Sequence, residues 1–242
     1  EAQAAVTREV VEQVLAVLHG QPARFTVNVP FVAPEVHDLI EPFIETAVII
    51  GKVAIQLANG QPNSVTVHYQ GELATSETQT LKAAVLMGLL QPGTEVRVNL
   101  VNAALLAEER GLQITEKKDP VPQKFANEIT VRLATTGGEV IVGGTHLRGR
   151  THVTRVGEHL VDAAVDSPYL LFIENLDRPG MIGTVGEVAG RYDINISFME
   201  VGRAEARGNA TMMVGLDDPM PDSVLVELKQ NPAITSLRLV QM

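Results

Sequence analysis

One short polar turn carries residues whose types and spacing suit the binding of a small charged molecule. It runs from Asn175 through Asp177 and Arg178 to Pro179 and Gly180, and an amphipathic pattern typical of a helix follows it. Backbone amides at a helix start bind anions, and a carboxylate such as that of Asp177 attracts cations. A pocket that offers both groups suits a zwitterion, so the turn indicates a binding site for a free amino acid.

The residues predicted for this site lie in the turn, at the start of the helix, or at the strand after it. They are Asn175, Asp177 and Asn195 through their side chains, and Pro179, Gly180, Met181 and Ile182 through their backbone. A purely structural interpretation is also consistent with the sequence. In that interpretation Asp177 belongs to the helix cap, Pro179 lies near the first helical position, and Asn195 is an ordinary polar strand residue.

The elements that position this turn follow the order strand, helix, strand, strand, helix, strand. Their predicted ranges are Tyr169–Ile173, Ile182–Tyr192, Ile194–Phe198, Gly208–Leu216, Asp222–Gln230 and Ile234–Val240. The strands show apolar runs or alternation, and the helices show apolar residues at three- and four-residue steps. The order predicts a ferredoxin-like βαββαβ domain over residues 167–242, with both helices on one face of an antiparallel sheet.

Residues 31–166 predict a separate domain of mixed α/β type, so the fold class of the whole chain is α+β. Helices are predicted at Glu35–Ala58, Glu77–Leu90 and Ala103–Arg110, and strands at Ser64–Glu72, Val96–Val101, Ile114–Lys118, Glu128–Thr135, Glu139–Thr145, Thr151–Val156 and Leu160–Val165. Pro42 is a candidate kink and Asn102 a candidate helix cap. Residues 1–30 form a third region, with a helix at Glu1–Gly20 and a proline-rich extended crossing segment that starts at Gln21 and runs on to Pro34.

A second set of polar residues is basic and lies near the end of the mixed domain. It comprises Arg148, Arg150, His152, Arg155 and His159. On alternating strand positions, such side chains can converge on a phosphate or a carboxylate. The alternative is a solvated basic rim on an acidic protein, and spacing alone does not separate the two.

Composition excludes several classes of function. The net charge of −10 over 242 residues argues against nucleic acid as a partner, and no apolar run reaches the length of a membrane span. Without cysteine there are no disulfides or thiolate metal sites, which is typical of a cytoplasmic protein. No dinucleotide-binding, P-loop, zincin or nucleophile-elbow motif is present, so we expect no catalytic residue, cofactor site or metal here. The first residue is Glu inside a predicted helix, and we therefore expect a piece of a longer protein.

Several stretches of the chain resemble a known family. The pattern from Asn175 to Gly180, followed by a helix and then Asp193–Ile196, resembles ACT domains, the small-molecule regulatory modules of amino-acid metabolism. Upstream, Val96–Leu112, His68–Leu73 and the opening Glu1-Ala2-Gln3 resemble the long form of D-3-phosphoglycerate dehydrogenase. In that form an intervening allosteric-substrate-binding domain precedes the ACT domain. The resemblance covers the whole chain.

The resemblance implies that the chain is the C-terminal regulatory half of an NAD-dependent enzyme that oxidises 3-phosphoglycerate in the first step of L-serine synthesis. NAD and the catalytic residues would belong to the dehydrogenase half. Asp177 and Asn195 match positions that hold L-serine in the family, whereas Asn175 stands where histidine or tyrosine is frequent and Asp193 replaces a glycine. L-serine is therefore the expected effector.

The resemblance also bears on the basic set and on assembly. His159 matches a histidine of the family's second anion site and His152 stands where a lysine is frequent, but Ala163 replaces an arginine. Because a ferredoxin-like sheet carries helices on one face only, we expect the bare face and the edges to meet a second copy, giving a dimer or tetramer through both domains. Two alternatives stay open: the small subunit of an iron–sulfur L-serine dehydratase, and a free-standing amino-acid-binding ACT regulator.

Overall fold

The computed structural model describes the backbone of residues 2–18 and 34–242. The first helix, α1 (Ala2–Leu18), agrees with the predicted one. The extended crossing segment predicted up to Pro34 lies outside the described residues except for Pro34 itself, which begins the next helix. No helix among the described residues is both long enough and apolar enough to cross a membrane.

Three helices belong to the first domain: α2 (Pro34–Leu57), α3 (Gln79–Leu90) and α4 (Ala103–Glu109). The apolar stripe of α2 includes Ile40, Phe43 and Ala47 at three- and four-residue steps, all buried. Pro42 lies inside this helix without ending it. A proline removes the hydrogen bond to the carbonyl four residues earlier, which here belongs to Asp38, a residue with a fully exposed side chain.

Six strands form the sheet of the first domain, in the order β2-β1-β3-β4-β5-β6. Their bounds are β1 Pro62–Gly71, β2 Gln113–Asp119, β3 Asn127–Thr135, β4 Gly138–Leu147, β5 Arg150–Val156 and β6 His159–Ala164. Only β1 and β2 run parallel, and α3 and α4 form the crossover between them that a parallel pair requires. The strand predicted at Val96–Val101 is wrong. Side chains satisfy the backbone there instead, as where the amide of Val98 donates to Gln91 Oε1 at 2.9 Å.

The helices α2 and α3 approach each other through glycine. A Cβ atom on Gly88 would lie 2.1 Å from the carbonyl oxygen of Val48, and one on Gly51 would lie 2.4 Å from the carbonyl oxygen of Val85. Any side chain at these two positions would overlap backbone atoms of the other helix. The two glycines therefore set the distance between the helices.

The second domain has the predicted ferredoxin-like order, and the fold class is confirmed. It consists of β7 (Tyr169–Leu176), α5 (Met181–Arg191), β8 (Ile196–Arg203), β9 (Asn209–Leu216), α6 (Asp222–Lys229) and β10 (Ile234–Gln241). The antiparallel sheet has the order β10-β7-β9-β8. β7 continues three residues beyond its predicted end at Ile173, because Asn175 and Leu176 still pair with Ala210 and Asn209 of β9.

The two faces of this second sheet pack against different partners. One face, which includes Leu171 and Ile173, forms a core with α5 and α6. The other face, which includes Leu170 and Phe172, belongs to the same core as α2 and the first sheet. This corrects the expectation of a bare face waiting for a second copy, because the first domain covers it at these positions.

Polar contacts and one glycine complete the junction between the domains. Gln56 and Gln241 bond reciprocally, with the side-chain amide of Gln56 donating to the Gln241 carbonyl and accepting from the Gln241 amide, each at 3.0 Å. Gly202 of β8 lies so close to β6 that a Cβ atom there would be 2.6 Å from the carbonyl oxygen of Leu160. The junction is therefore closely fitted.

Candidate functional site

A cavity of about 370 Å³ lies where β7 ends and α5 begins. Its lining comes from the β7–α5 turn, the start of α5, the ends of β8 and β9, and the loop between those strands: Asn175, Asp177, Arg178, Pro179, Gly180, Met181, Ile182, Val201, Arg203, Ala206, Arg207 and Met212. We call this cavity the turn pocket. The structure thus brings together every residue predicted for the amino-acid site except Asn195.

The sheet order explains why these segments meet. β7 and β8 flank β9 and both run antiparallel to it, so β7 and β8 share a direction and end at the same edge of the sheet. Asn175 of β7 and Arg203 of β8 both pair with Ala210 of β9, which places the three residues in one row. The loops that follow β7 and β8 are therefore neighbours and form the two walls of the turn pocket.

Asp177 joins those two walls. Its Oδ2 atom accepts a hydrogen bond from the Arg203 guanidinium at 2.6 Å and another from the backbone amide of Arg207 at 3.1 Å. The amide of Asp177 in turn donates to the carbonyl of Gly208 at 2.8 Å. The Arg207 amide and the Arg203 guanidinium hold the pKa of Asp177 below its usual value of 3.8. The carboxylate predicted for a ligand ammonium group thus already has a cationic partner.

The start of α5 is open to the turn pocket. Gly180 precedes the helix in a left-handed conformation, with a φ of 92°, and no side chain caps the helix, so Asp177 is not its cap. The amide of Thr184 donates to the Gly180 carbonyl at 2.8 Å. Among the described residues, the amides of Ile182 and Gly183 have no acceptor. These two N–H groups, with the helix dipole behind them, form an anion-binding position.

Asn175, which lines the same cavity, carries an acceptor without a partner among the described residues. Its side chain is only 3% exposed, and its Nδ2 atom donates to the Leu176 carbonyl at 2.9 Å. Its Oδ1 atom is buried and has no hydrogen-bond partner within the described chain. A buried acceptor left without a partner costs about 1–3 kcal/mol, so this atom is poised to receive a donor from a ligand.

Asn195 lies at the opposite end of β8. It precedes Ile196, which pairs with Leu216, and its Nδ2 atom donates to Asp217 Oδ2 at 2.6 Å. Arg203 is eight positions further along the chain, which corresponds to about 26 Å at about 3.3 Å per residue. Within one chain, therefore, Asn195 does not reach the turn pocket, and its role as an effector ligand stays a prediction.

Arg203 and Arg207 are pocket residues that the sequence pattern did not reveal. They lie 26 and 30 positions after Asp177, too far for any local motif to connect them. Sheet order was the signal that could have found them, because a βαββαβ domain brings the ends of its first and second strands to one edge. The loop after the predicted second strand was therefore the place to look.

Three of the five basic residues predicted as an anion site have partners within the chain. The contacts are Arg150 to Asp166 at 2.6 Å, His152 Nδ1 to Asp162 Oδ1 at 2.8 Å, and His159 Nδ1 to Thr211 Oγ1 at 2.8 Å. Of the remaining two, Arg148 lies in the β4–β5 turn with a φ of 53°, and Arg155 lies in β5 opposite Leu160.

The surroundings of this basic set are acidic. Among the described residues, Arg150 is the only basic one around a cavity of about 360 Å³ that is also lined by Asp162, Asp166, Glu200 and Asp217. These carboxylates offset the positive charge that an anion would need for binding. The anion site in the first domain stays a prediction. Within the described part of the chain, no group of three or more histidine, aspartate or glutamate side chains is placed to hold a metal ion.

The lowered pKa of Asp177 predicts a pH-dependent contribution to stability. A carboxylate whose pKa is lower in the folded than in the unfolded state stabilises the fold above the unfolded value and loses that effect as the pH falls through the folded value. We expect Asp177→Asn to lower the urea midpoint at neutral pH and the difference from the original protein to shrink below pH 3.8. The control is Asp218→Asn, because Asp218 has no bonded partner among the described residues. If the difference in urea midpoint between the two proteins stays constant at low pH, the ion pair of Asp177 with Arg203 is contradicted.

Comparison with known proteins shows which family the chain is similar to. Residues 39–156 match the family described as D-3-phosphoglycerate dehydrogenase intervening domain. The whole chain is 37% identical to D-3-phosphoglycerate dehydrogenase from Synechocystis sp., of which it covers 44%. It is 32% and 33% identical to the proteins of that name from Methanocaldococcus jannaschii and Bacillus subtilis, covering 46% of each. The chain thus spans slightly less than half the length of these relatives.

Proposed function

Because the chain belongs to the D-3-phosphoglycerate dehydrogenase family, we propose that it is the regulatory half of such an enzyme and that its turn pocket binds an amino-acid effector. Oxidation of 3-phosphoglycerate with NAD, as the first step of L-serine synthesis in the cytoplasm, then belongs to the part of the protein that this chain does not cover. No residue here is assigned to NAD, since the sequence has no glycine-rich dinucleotide turn.

The observation that carries the effector proposal is the buried, unpartnered Oδ1 atom of Asn175 beside a helix start with free amides. An α-ammonium group would donate to Asn175 Oδ1, and an α-carboxylate would accept from the amides of Ile182 and Gly183. Both main-chain groups of an amino acid are thereby matched within one cavity. The free Oδ1 atom of Asp177 is a second acceptor for the ammonium group, because the bonds from Arg203 and Arg207 both go to Oδ2.

L-serine is the first ligand to test, because the family resemblance points to it. We expect calorimetry to show L-serine binding to the original protein and at least a tenfold loss of affinity in Asn175→Leu, which removes the buried acceptor at similar volume. The stability of the folded state should change little, because the variant loses the bond to the Leu176 carbonyl but also the unpaired Oδ1 atom. Asp177→Ala is the second variant, and Lys229→Gln, on the far helix α6, is the control. Equal heats in all four proteins would refute the site.

A second copy of the chain is part of the proposal. The outer edge of β10 has no strand beside it within the described residues, and α1 exposes a stripe of five apolar side chains, Val6, Val10, Val11, Val14 and Leu15. Both surfaces are suited to contacts between copies, as a dimer or tetramer. A second copy is also the way for Asn195 to contribute to an effector site. Sedimentation that shows only monomer at high concentration would count against this assembly.

The purified chain allows regulation to be tested apart from catalysis. We expect it to show no turnover of 3-phosphoglycerate with NAD, since its described polar residues form a binding pocket rather than a nucleophile or an acid–base pair. Measurable turnover by the purified chain would overturn its assignment as the regulatory half.

A further inference from the structure

We propose that Arg178 and Arg207 form a subsite for a second negatively charged group, so that the turn pocket prefers amino acids whose side chain carries a carboxylate or a phosphate. This inference rests on the proposed amino-acid site and names the class of ligand that it takes. Two observations support it. The residues that line the cavity have a net positive charge, and two of their arginine side chains have no bonded partner among the described residues.

The charges of the lining residues do not balance. Among the described residues, three arginines line the cavity, Arg178, Arg203 and Arg207, together with a single acidic residue, Asp177. The start of α5 adds a partial positive charge of about one half. A ligand with no net charge, such as L-serine, leaves this excess in place. The excess is notable because the chain as a whole has a net charge of −10.

Among the described residues, only one of the three arginines donates a side-chain hydrogen bond. Arg203 donates to Asp177 at 2.6 Å. Arg207 reaches Asp177 through its backbone amide, and neither its guanidinium nor that of Arg178 has a bonded partner among the described residues. Glu205, the carboxylate of the same loop, does not line the cavity. Two guanidinium groups are therefore available to a ligand.

The two available arginines stand on opposite walls. Arg178 belongs to the β7–α5 turn and Arg207 to the β8–β9 loop, and the bond from the Asp177 amide to the Gly208 carbonyl ties these walls together. Arg207 has a φ of 66°, a left-handed conformation, and its backbone amide bonds to Asp177. A carboxylate or phosphate between the walls would receive charge-assisted hydrogen bonds from both guanidinium groups.

The main-chain groups of an amino acid do not compete for this position. The unpartnered Asn175 Oδ1 atom and the α5 amides take the ammonium and the carboxylate, and the arginines stay free for the side chain. The cavity of about 370 Å³ has room for about twelve water molecules at about 30 Å³ each, so it accommodates a longer ligand than serine. The volume of the turn pocket and its positive charge thus both favour an amino acid with an acidic side chain.

Competitive calorimetry on the full 242-residue chain tests the subsite. The ligands are L-serine, L-aspartate, L-glutamate, O-phospho-L-serine and inorganic phosphate. We expect at least one acidic amino acid to bind about tenfold more tightly than L-serine at low salt, and this advantage to shrink at high salt. Carboxylate and phosphate ligands are compared directly, so the preferred anion is identified.

Variants attribute the preference to the two arginines. Arg178→Gln and Arg207→Asn, singly and combined, should lower the ratio of acidic-ligand affinity to L-serine affinity; Asn suits the left-handed position. Lys229→Gln removes one positive charge elsewhere and should keep the advantage. Equal affinity for L-serine and the acidic ligands would overturn the subsite and leave the proposed function intact. No binding of any amino acid would overturn both. Inorganic phosphate binding as tightly as O-phospho-L-serine would also overturn it, because the anion alone would then account for affinity.

Discussion

Gly88→Ala should destabilise the first domain by about 2 kcal/mol, although alanine normally favours a helix over glycine by about 1 kcal/mol. The added methyl group would lie 2.1 Å from the carbonyl oxygen of Val48, a backbone atom that cannot rotate away. The helices α2 and α3 must then separate, and inserting atoms into a well-packed contact typically costs about 1–3 kcal/mol. Overlap thus outweighs propensity.

The matched control is Gly186→Ala in α5. Gly186 is also inside a helix, but apart from its own helix no described residue has an atom within 4 Å of the position that its Cβ atom would take. Here the helix propensity acts alone, and we expect a gain of about 0.5–1 kcal/mol. Urea unfolding followed by circular dichroism measures both variants. A Gly88→Ala protein as stable as Gly186→Ala would show that the two helices do not meet through their backbones.

Gly202→Val should loosen the second domain from the first. A Cβ atom at this position would lie 2.6 Å from the carbonyl oxygen of Leu160 and 2.7 Å from a methyl carbon of Val161, both in β6. Valine suits a strand, so β8 itself should remain folded and the strain should fall on the junction. The bond between His159 and Thr211, at 2.8 Å, would be lost with it.

Limited proteolysis reports this change. If the junction loses about 1.4 kcal/mol, the separated state becomes about tenfold more populated, and cleavage in residues 165–168, between the two sheets, should accelerate by the same factor. Glu200→Val is the control, because it places the same side chain in the same strand at a partly exposed position. Equal cleavage rates for the two variants would contradict the close packing of β6 on β8.

Periodicity in the sequence was sufficient for the architecture of the second domain. All six of its elements were predicted in the right order, because apolar runs or alternation mark the strands and apolar residues at three- and four-residue steps mark the helices. The largest error is at β8, which continues to Arg203, five residues beyond its predicted end at Phe198. The strand predicted at Val96–Val101 failed for a local reason. Its amides bond to the side chains of Gln91 and Asn99, and alternation of apolar residues cannot reveal such bonds.

The sequence predicted only those parts of the candidate site that are formed by residues close together in the chain. The turn from Asp177 to Gly180 was placed correctly at a helix start. The burial of Asn175 was missed, because β7 continues past the apolar run that was expected to end it. The pairing of Asp177 with Arg203 depends on which strand ends are adjacent, a property of the sheet that no spacing in the chain expresses.

One consequence of the pleated sheet concerns Thr211 and Met212 of β9. These residues are adjacent in the chain, yet Met212 lines the turn pocket and Thr211 bonds to His159 of the first domain. Consecutive strand residues point to opposite faces, and their Cα atoms are only about 3.8 Å apart. One residue of this short stretch of β9 therefore lines the turn pocket, and the residue before it contacts the first domain. A ligand in contact with Met212 would therefore lie one strand residue away from a hydrogen bond between the two domains.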